Sequence, residues 1–121
     1  MSKIIQAINT MITNHLLITN ILQDGTGNEI YFLYDRKYKW SISYDFQEDS
    51  YTLKYYSSNS TINEIASRID VNNFNDFISY SSSKLKEREA LETFTELFQL
   101  VKEKLHGADK AFDDIISQLP F

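Results

Sequence analysis

The sequence predicts an α+β fold. The expected architecture is a two-layer sandwich, in which an antiparallel meander of three to four strands carries one N-terminal helix and two to three C-terminal helices on one face. Three observations predict it. Residues 29–35, 38–46 and 51–56 alternate apolar and polar side chains, which is the period of a half-buried strand. Apolar residues recur at spacings of three and four on either side of that block, which is the period of a helix packed along one stripe. The strand containing Trp40 also carries Lys39, Ser41, Ser43 and Asp45 on its other face, so helices are expected to cover one side only.

Each element has its own signal. Ile5, Ile8 and Ile12, flanked by Ile4 and Met11, mark a helix over residues 3–13, with Ser2 as its N-cap. Residues 16–22 fit two templates. His15, Leu16, Thr19 and Leu22 would extend the helical stripe, yet Thr13, Asn14, Ile18, Thr19 and Asn20 are weak helix formers. The Asp24-Gly25 pair that follows is a reversal signal, and we read the segment as a strand. Ile30, Phe32 and Tyr34 share one face of the next strand. Trp40, Ile42, Tyr44 and Phe46 share one face of the second, and Tyr51, Leu53 and Tyr55 one face of the third. The short links, Arg36-Lys37 and residues 47–50, make these strands antiparallel neighbours.

Thr61 and Glu64 form a capping-box pattern that opens a short helix over 62–68, packing Ile62, Ile65, Ala66 and Ile69. Between residues 70 and 83 no period holds, and no element is assigned. Leu91, Phe94, Leu97, Phe98, Val101 and Leu105 then define a long helix, with Ser82 or Ser83 as its cap and Gly107 as its stop. A last helix carries Phe112, Ile115, Ile116 and Leu119 between Asp109 as cap and Pro120. The two are expected to form an αα-hairpin across the dry face of the sheet.

Length and composition narrow the function classes. A chain of 121 residues is one domain, 1–121, large enough to hold a core without metal or disulfide staples. With no cysteine, thiolate catalysis, disulfides and cysteine-ligated metal are excluded. Polar Gln6, Asn9 and Thr10 interrupt the N-terminal apolar residues, and no apolar run reaches the ~20 residues of a membrane span, so the expectation is a cytoplasmic protein without membrane contact. A net charge of −5 disfavours nucleic acid as partner, because such binding depends on Lys and Arg displacing counterions, and it favours a basic protein.

No cofactor, metal or catalytic set emerges. His15 and His106 lack the companions of a metal or triad site, and His106 beside Gly107 reads as a helix-end residue. Asp45, Glu48 and Asp49 fall in a turn, and Asp109, Asp113 and Asp114 fall on one short helix without calcium-loop spacing. Residues 24–27 (Asp-Gly-Thr-Gly) lack the lysine and following helix of a phosphate loop.

Two features remain as partner-binding candidates. Arg36, Lys37 and Lys39, interleaved with Tyr34, Tyr38 and Trp40, make a basic aromatic hairpin of the kind that tracks single-stranded nucleic acid. Tyr31, Leu33 and Tyr56 fall opposite the dry face. They form either an exposed aromatic patch for another protein or a second copy of this chain, or part of a strand buried on both faces. The expected function is a small, acidic, non-catalytic protein-binding module acting as adaptor, toxin neutraliser or chaperone. Nucleic-acid binding through the hairpin around residues 34–40 is the alternative.

Overall fold

The computed structural model describes residues 2–23, 28–67, 77–85 and 89–119. It is an α+β arrangement built on an open five-stranded sheet. Helix α1 (Lys3–Thr13) leads through a short 3-10 turn at His15–Leu17 into β1 (Ile18–Gln23), β2 (Glu29–Tyr34), β3 (Tyr38–Asp45) and β4 (Ser50–Tyr56). Helix α2 (Ile62–Ser67), β5 (Phe77–Ser81), α3 (Ala90–Leu105) and α4 (Ala108–Ile116) follow. Strand order is β1-β2-β3-β4-β5 and every pair is antiparallel, so the sheet is a simple meander. Residues 24–27, the assigned reversal, and Pro120 lie outside the described residues, as does Ile69.

The dry face forms as the alternation requires. Ile30, Phe32, Ile42, Tyr51 and Leu53 project from the strands and meet Ile4, Ile5, Ile8 and Met11 of α1 and Ala90, Phe94, Leu97 and Val101 of α3. Each fully buried apolar side chain contributes about 1.5–3 kcal/mol of transfer free energy, so this cluster dominates stability. Helix α1 starts where Ser2 Oγ accepts the Ile5 N–H at 3.4 Å. It presents its isoleucine stripe to α3 as well as to the sheet.

Strand β1 settles the ambiguity of residues 16–22 in favour of a strand, shifted to residues 18–23. It also contains a bulge. Thr19 pairs with Leu33 and Leu22 with Tyr31, so Asn20 and Ile21 together oppose Phe32 alone. Asn20 takes the left-handed conformation there, with φ 53°, which asparagine tolerates better than most residues. The extra residue returns both Ile18 and Ile21 to the core side.

Three expectations need correction. The later helices do not share one face: α1 and α3 cover the dry side, whereas α2 packs on the opposite side against β1 and β2. Its capping box forms as read, with Glu64 N–H donating to Thr61 Oγ1 at 3.2 Å and Thr61 N–H donating to Glu64 Oε1 at 3.1 Å. The turn so fixed presents Ile62 and Ile65 to Tyr31 and Tyr56, with Leu22, Leu33 and Ala66 packed around them. Second, residues 77–81 form an edge strand where no element was assigned. Ser82 closes it against β4 instead of capping a helix: its N–H donates to Tyr51 O and its Oγ accepts the Tyr51 N–H, both at 2.9 Å.

Third, α4 does not lie across the dry face. Gly107, at φ 71°, stops α3 in the expected left-handed position, and no neighbouring atom would obstruct a Cβ there, so backbone conformation alone selects glycine. The chain re-enters a helix at once, which puts Asp109 inside α4 and not at its cap. Apart from the half-buried Ala108, every described side chain of α4 is exposed.

Candidate functional site

The sequence-derived candidates separate into two places. Tyr31, Leu33 and Tyr56 come together on the second face, but beneath α2. Tyr31 and Tyr56 are only 8 % and 5 % exposed, with ring centroids 6.2 Å apart, and Leu33 is half-buried against them. The double-sided burial that the alternation left open is the arrangement found, and these residues offer no open aromatic patch.

What they do instead is close a polar network. Ser41, fully buried, lies between Glu29 and Tyr56: its Oγ is 2.5 Å from Glu29 Oε2 and 2.8 Å from the Tyr56 hydroxyl. Ser41 donates to the Glu29 carboxylate, which also pairs with Lys54 Nζ at 3.4 Å, and its Oγ shares a second hydrogen bond with the Tyr56 hydroxyl. Tyr31 donates to the other carboxylate oxygen at 3.3 Å. Burial pushes the Tyr56 phenol well above the ordinary tyrosine range; the hydrogen bond with Ser41 acts the other way, and the nearby Glu29 charge adds to the rise. Lys54 also lies 5.2 Å from the Phe77 ring centroid, which ties β5 to the network. The arrangement is a hydrogen-bonded network that joins β2, β3 and β4 beneath α2.

Arg36, Lys37 and Lys39 do gather, at the β2–β3 hairpin. Asp35 and Arg36 both adopt left-handed conformations, φ 55° and 60°, and Lys37 N–H donates to Tyr34 O at 3.3 Å, the pattern of a type I′ turn. Asparagine, aspartate or glycine is usual at such positions; arginine is not. With Asn20, Ser60 and Asn63 the three cations line a cleft of about 490 Å³ between the hairpin and the start of α2. They are not equally available. Lys39 Nζ donates to the carbonyls of Ser58 and Ser60 (3.0 Å for the latter), fastening the hairpin to the chain before α2, and Lys37 lies over the Tyr38 ring.

The acidic groups of the β3–β4 turn hold that turn. Tyr44 donates to Asp49 at 2.8 Å, which raises the Tyr44 pKa, and Gln47 N–H donates to Asp45 at 3.0 Å. His106 caps α3, its N–H donating to Lys102 O at 3.1 Å. Among the described residues no three His, Asp or Glu side chains gather as a metal site would require, and no helix is long and apolar enough to cross a membrane.

The surface that sequence reasoning missed is helical. Phe112, Ile115, Ile116 and Leu119 are 53–64 % exposed and recur at three and four, so α4 and the turn after it present an apolar stripe to solvent. A groove of about 600 Å³ also runs along α3 beside Ile12 of α1, with Thr95 and Gln99 in its wall. Ile12, Leu91 and Leu100 line it together with Glu92, Glu96 and Glu103. The amphipathic pattern of α4 was legible, but its period cannot tell a stripe buried against the sheet from one left outside.

No protein-family model matches the chain, and neither a curated protein nor a solved structure is recognisably similar to it.

Proposed function

We propose that this chain is a small, acidic, non-catalytic protein-binding module whose docking surface is its helical layer. The observation that carries this reading is the stripe of Phe112, Ile115, Ile116 and Leu119, four large apolar side chains more than half exposed on α4 and the turn after it. Single exposed apolar residues need no explanation, but a contiguous stripe at helical spacing does. A short helix with nearly every side chain in water gains little tertiary support, whereas its apolar face would gain about 25 cal/mol per Å² covered by a partner. The net charge of −5 favours a basic foreign protein over a second copy of this chain. Adaptor, neutraliser of a basic toxin and dedicated chaperone are the roles that fit these properties, in a soluble, cytoplasmic setting.

Replacing Phe112 and Ile116 together by serine tests the reading, because neither side chain belongs to the core. The wild-type chain is expected to retain a partner from native extract that the double variant loses, with unchanged circular dichroism. Light scattering of the purified wild type should give a monomer. An identical set of retained proteins on both chains, or a wild-type dimer that the substitutions dissociate, overturns the proposal of a foreign partner.

A second reading, nucleic-acid binding, has one observation in its favour: Arg36, Lys37 and Lys39 line one cleft in an otherwise acidic chain. Charge reversal at the three positions should then abolish a mobility shift that salt weakens, and no shift at low salt ends the idea.

A further inference from the structure

We infer that the cleft between the β2–β3 hairpin and the start of α2 binds a phosphate group, free or carried by a small polar molecule. The inference goes beyond the protein-binding reading and does not depend on it. Three observations lead to it. The first is the wall of the cleft. Arg36, Lys37 and Lys39 line it, and no described residue that lines it is a carboxylate, although the chain carries a net charge of −5. The neighbouring acids Asp35 and Glu64 do not line it, and Glu64 is engaged by the N–H and hydroxyl of Thr61. Its volume of about 490 Å³ suits a small ligand, and the amides of Asn20 and Asn63 add neutral hydrogen-bonding groups to the three cations.

The second observation is how the cations are held. Lys39 Nζ donates to the carbonyls of Ser58 and Ser60, which fixes the ammonium in position, leaves its charge uncancelled and keeps one of its three N–H donors in hand. Arg36 makes no hydrogen bond or ion pair among the described residues, and its planar fork of donors matches the oxygens of a phosphate. The third is the backbone at Arg36. At φ 60° its Cβ is disfavoured, and glycine would relieve the strain; Asn20, at φ 53°, brings a second left-handed residue to the same cleft. A hairpin shaped for stability alone has no use for arginine at that position, and the guanidinium is what glycine would lack.

The same wall favours a compact anion over a polymer. No aromatic ring lines the cleft, because Tyr34 and Trp40 pack against the main core on the other face of the sheet. Bases would find no stacking surface there. A carboxylate is matched by one arginine, whereas three gathered cations suit the charge of about −2 on a phosphate monoester.

Isothermal titration of the whole chain at low salt with glycerol 3-phosphate, inorganic phosphate, sodium acetate and glycerol tests the inference. Both phosphate compounds are expected to bind at least about tenfold more tightly than acetate, and glycerol is expected not to bind. A preference for glycerol 3-phosphate identifies an ester as the natural source, and a preference for inorganic phosphate identifies the free ion. Arg36→Gly should weaken phosphate binding by about tenfold or more, the worth of one charge-assisted hydrogen bond, while raising the melting temperature of the ligand-free chain. Loss of binding in a chain that has become more stable separates a lost ligand contact from a damaged fold. Lys37→Gln should also weaken binding, with unchanged circular dichroism, and the Phe112→Ser, Ile116→Ser chain should bind phosphate as the wild type does. No heat from either phosphate compound at about 10 mM, equal affinity for acetate, or unchanged binding by Arg36→Gly overturns the inference. A short thymidine oligonucleotide that binds more tightly than both phosphate compounds overturns it too, and assigns the cleft to nucleic acid.

Discussion

Ser41→Ala should be far more costly than the loss of one hydroxyl suggests. Ser41 is fully buried and serves two partners at once, donating to Glu29 at 2.5 Å and hydrogen-bonded to the Tyr56 hydroxyl at 2.8 Å. Alanine removes a hydrogen bond to a charged group, about 1.5–3 kcal/mol, and a second one shared with the buried Tyr56 phenol, about 1 kcal/mol more. Glu29 is 16 % exposed and keeps Lys54 and Tyr31, which moderates its share. The expected loss is therefore about 2–4 kcal/mol out of a total of about 5–15 kcal/mol. Tyr56→Phe alone, which leaves Ser41 still bonded to Glu29, should cost only about 1 kcal/mol. In the Ser41→Ala background the same change should cost less, because the hydrogen bond to Ser41 is already gone, giving a coupling of up to about 1 kcal/mol. Urea unfolding followed by circular dichroism measures all four chains. At a slope near 2 kcal/mol/M, Ser41→Ala should lower the midpoint by about 1–2 M. A loss within about 0.5 kcal/mol for Ser41→Ala, or strict additivity of the two changes, would refute the role of Ser41 as the shared partner of Tyr56 and Glu29.

Three further outcomes follow from the same geometry. Because burial raises the Tyr56 pKa above its unfolded value of about 10, the native state keeps a proton that the unfolded chain releases, so stability should fall as pH rises past about 10, by up to 1.4 kcal/mol per pH unit. Urea titrations between pH 9 and 12 should show that slope, and Tyr56→Phe should flatten it. Arg36→Gly, at φ 60° in the hairpin, should raise stability by about 0.5–1 kcal/mol despite the added chain entropy, since glycine carries no Cβ penalty there; a lower melting temperature contradicts the left-handed assignment. Phe94→Ala, beneath the sheet on α3, should cost about 3–5 kcal/mol, and a loss below 1 kcal/mol in urea titration would mean that α3 is not the lid of the main core.

Much of the fold was legible because strict periods survive wherever one face is buried. Helix α1 begins and ends where its isoleucine spacing does, and β2 to β4 follow their alternation within a residue. Strand β1 was harder for a definable reason. The bulge at Asn20 and Ile21 places Ile18 and Ile21 on one side, a spacing of three that mimics a helix in the bare sequence. Strand β5 escaped because it lies at an edge, with Ile78 largely exposed and two of its five residues serines, so burial imposes little pattern on it. The candidate site was the least legible part. Alternation put Tyr31 and Tyr56 together on the second face, but nothing in it says that the short helix following β4 would cover them; that depends on tertiary packing of Ile62 and Ile65. The free stripe of α4 has the same pattern as the buried one of α3, and only the path of the chain after Gly107 separates them.

The kink at Asn20 has a consequence for how this molecule can assemble. An outermost ribbon that is straight and long invites a neighbour to zip onto its unused amides and carbonyls. Here one rim is bent by its extra residue, and the other is a mere five residues long. Lateral growth into fibres or strand-exchanged pairs thus finds no template on either side, and a visiting chain is steered towards side chains and away from the backbone of the sheet.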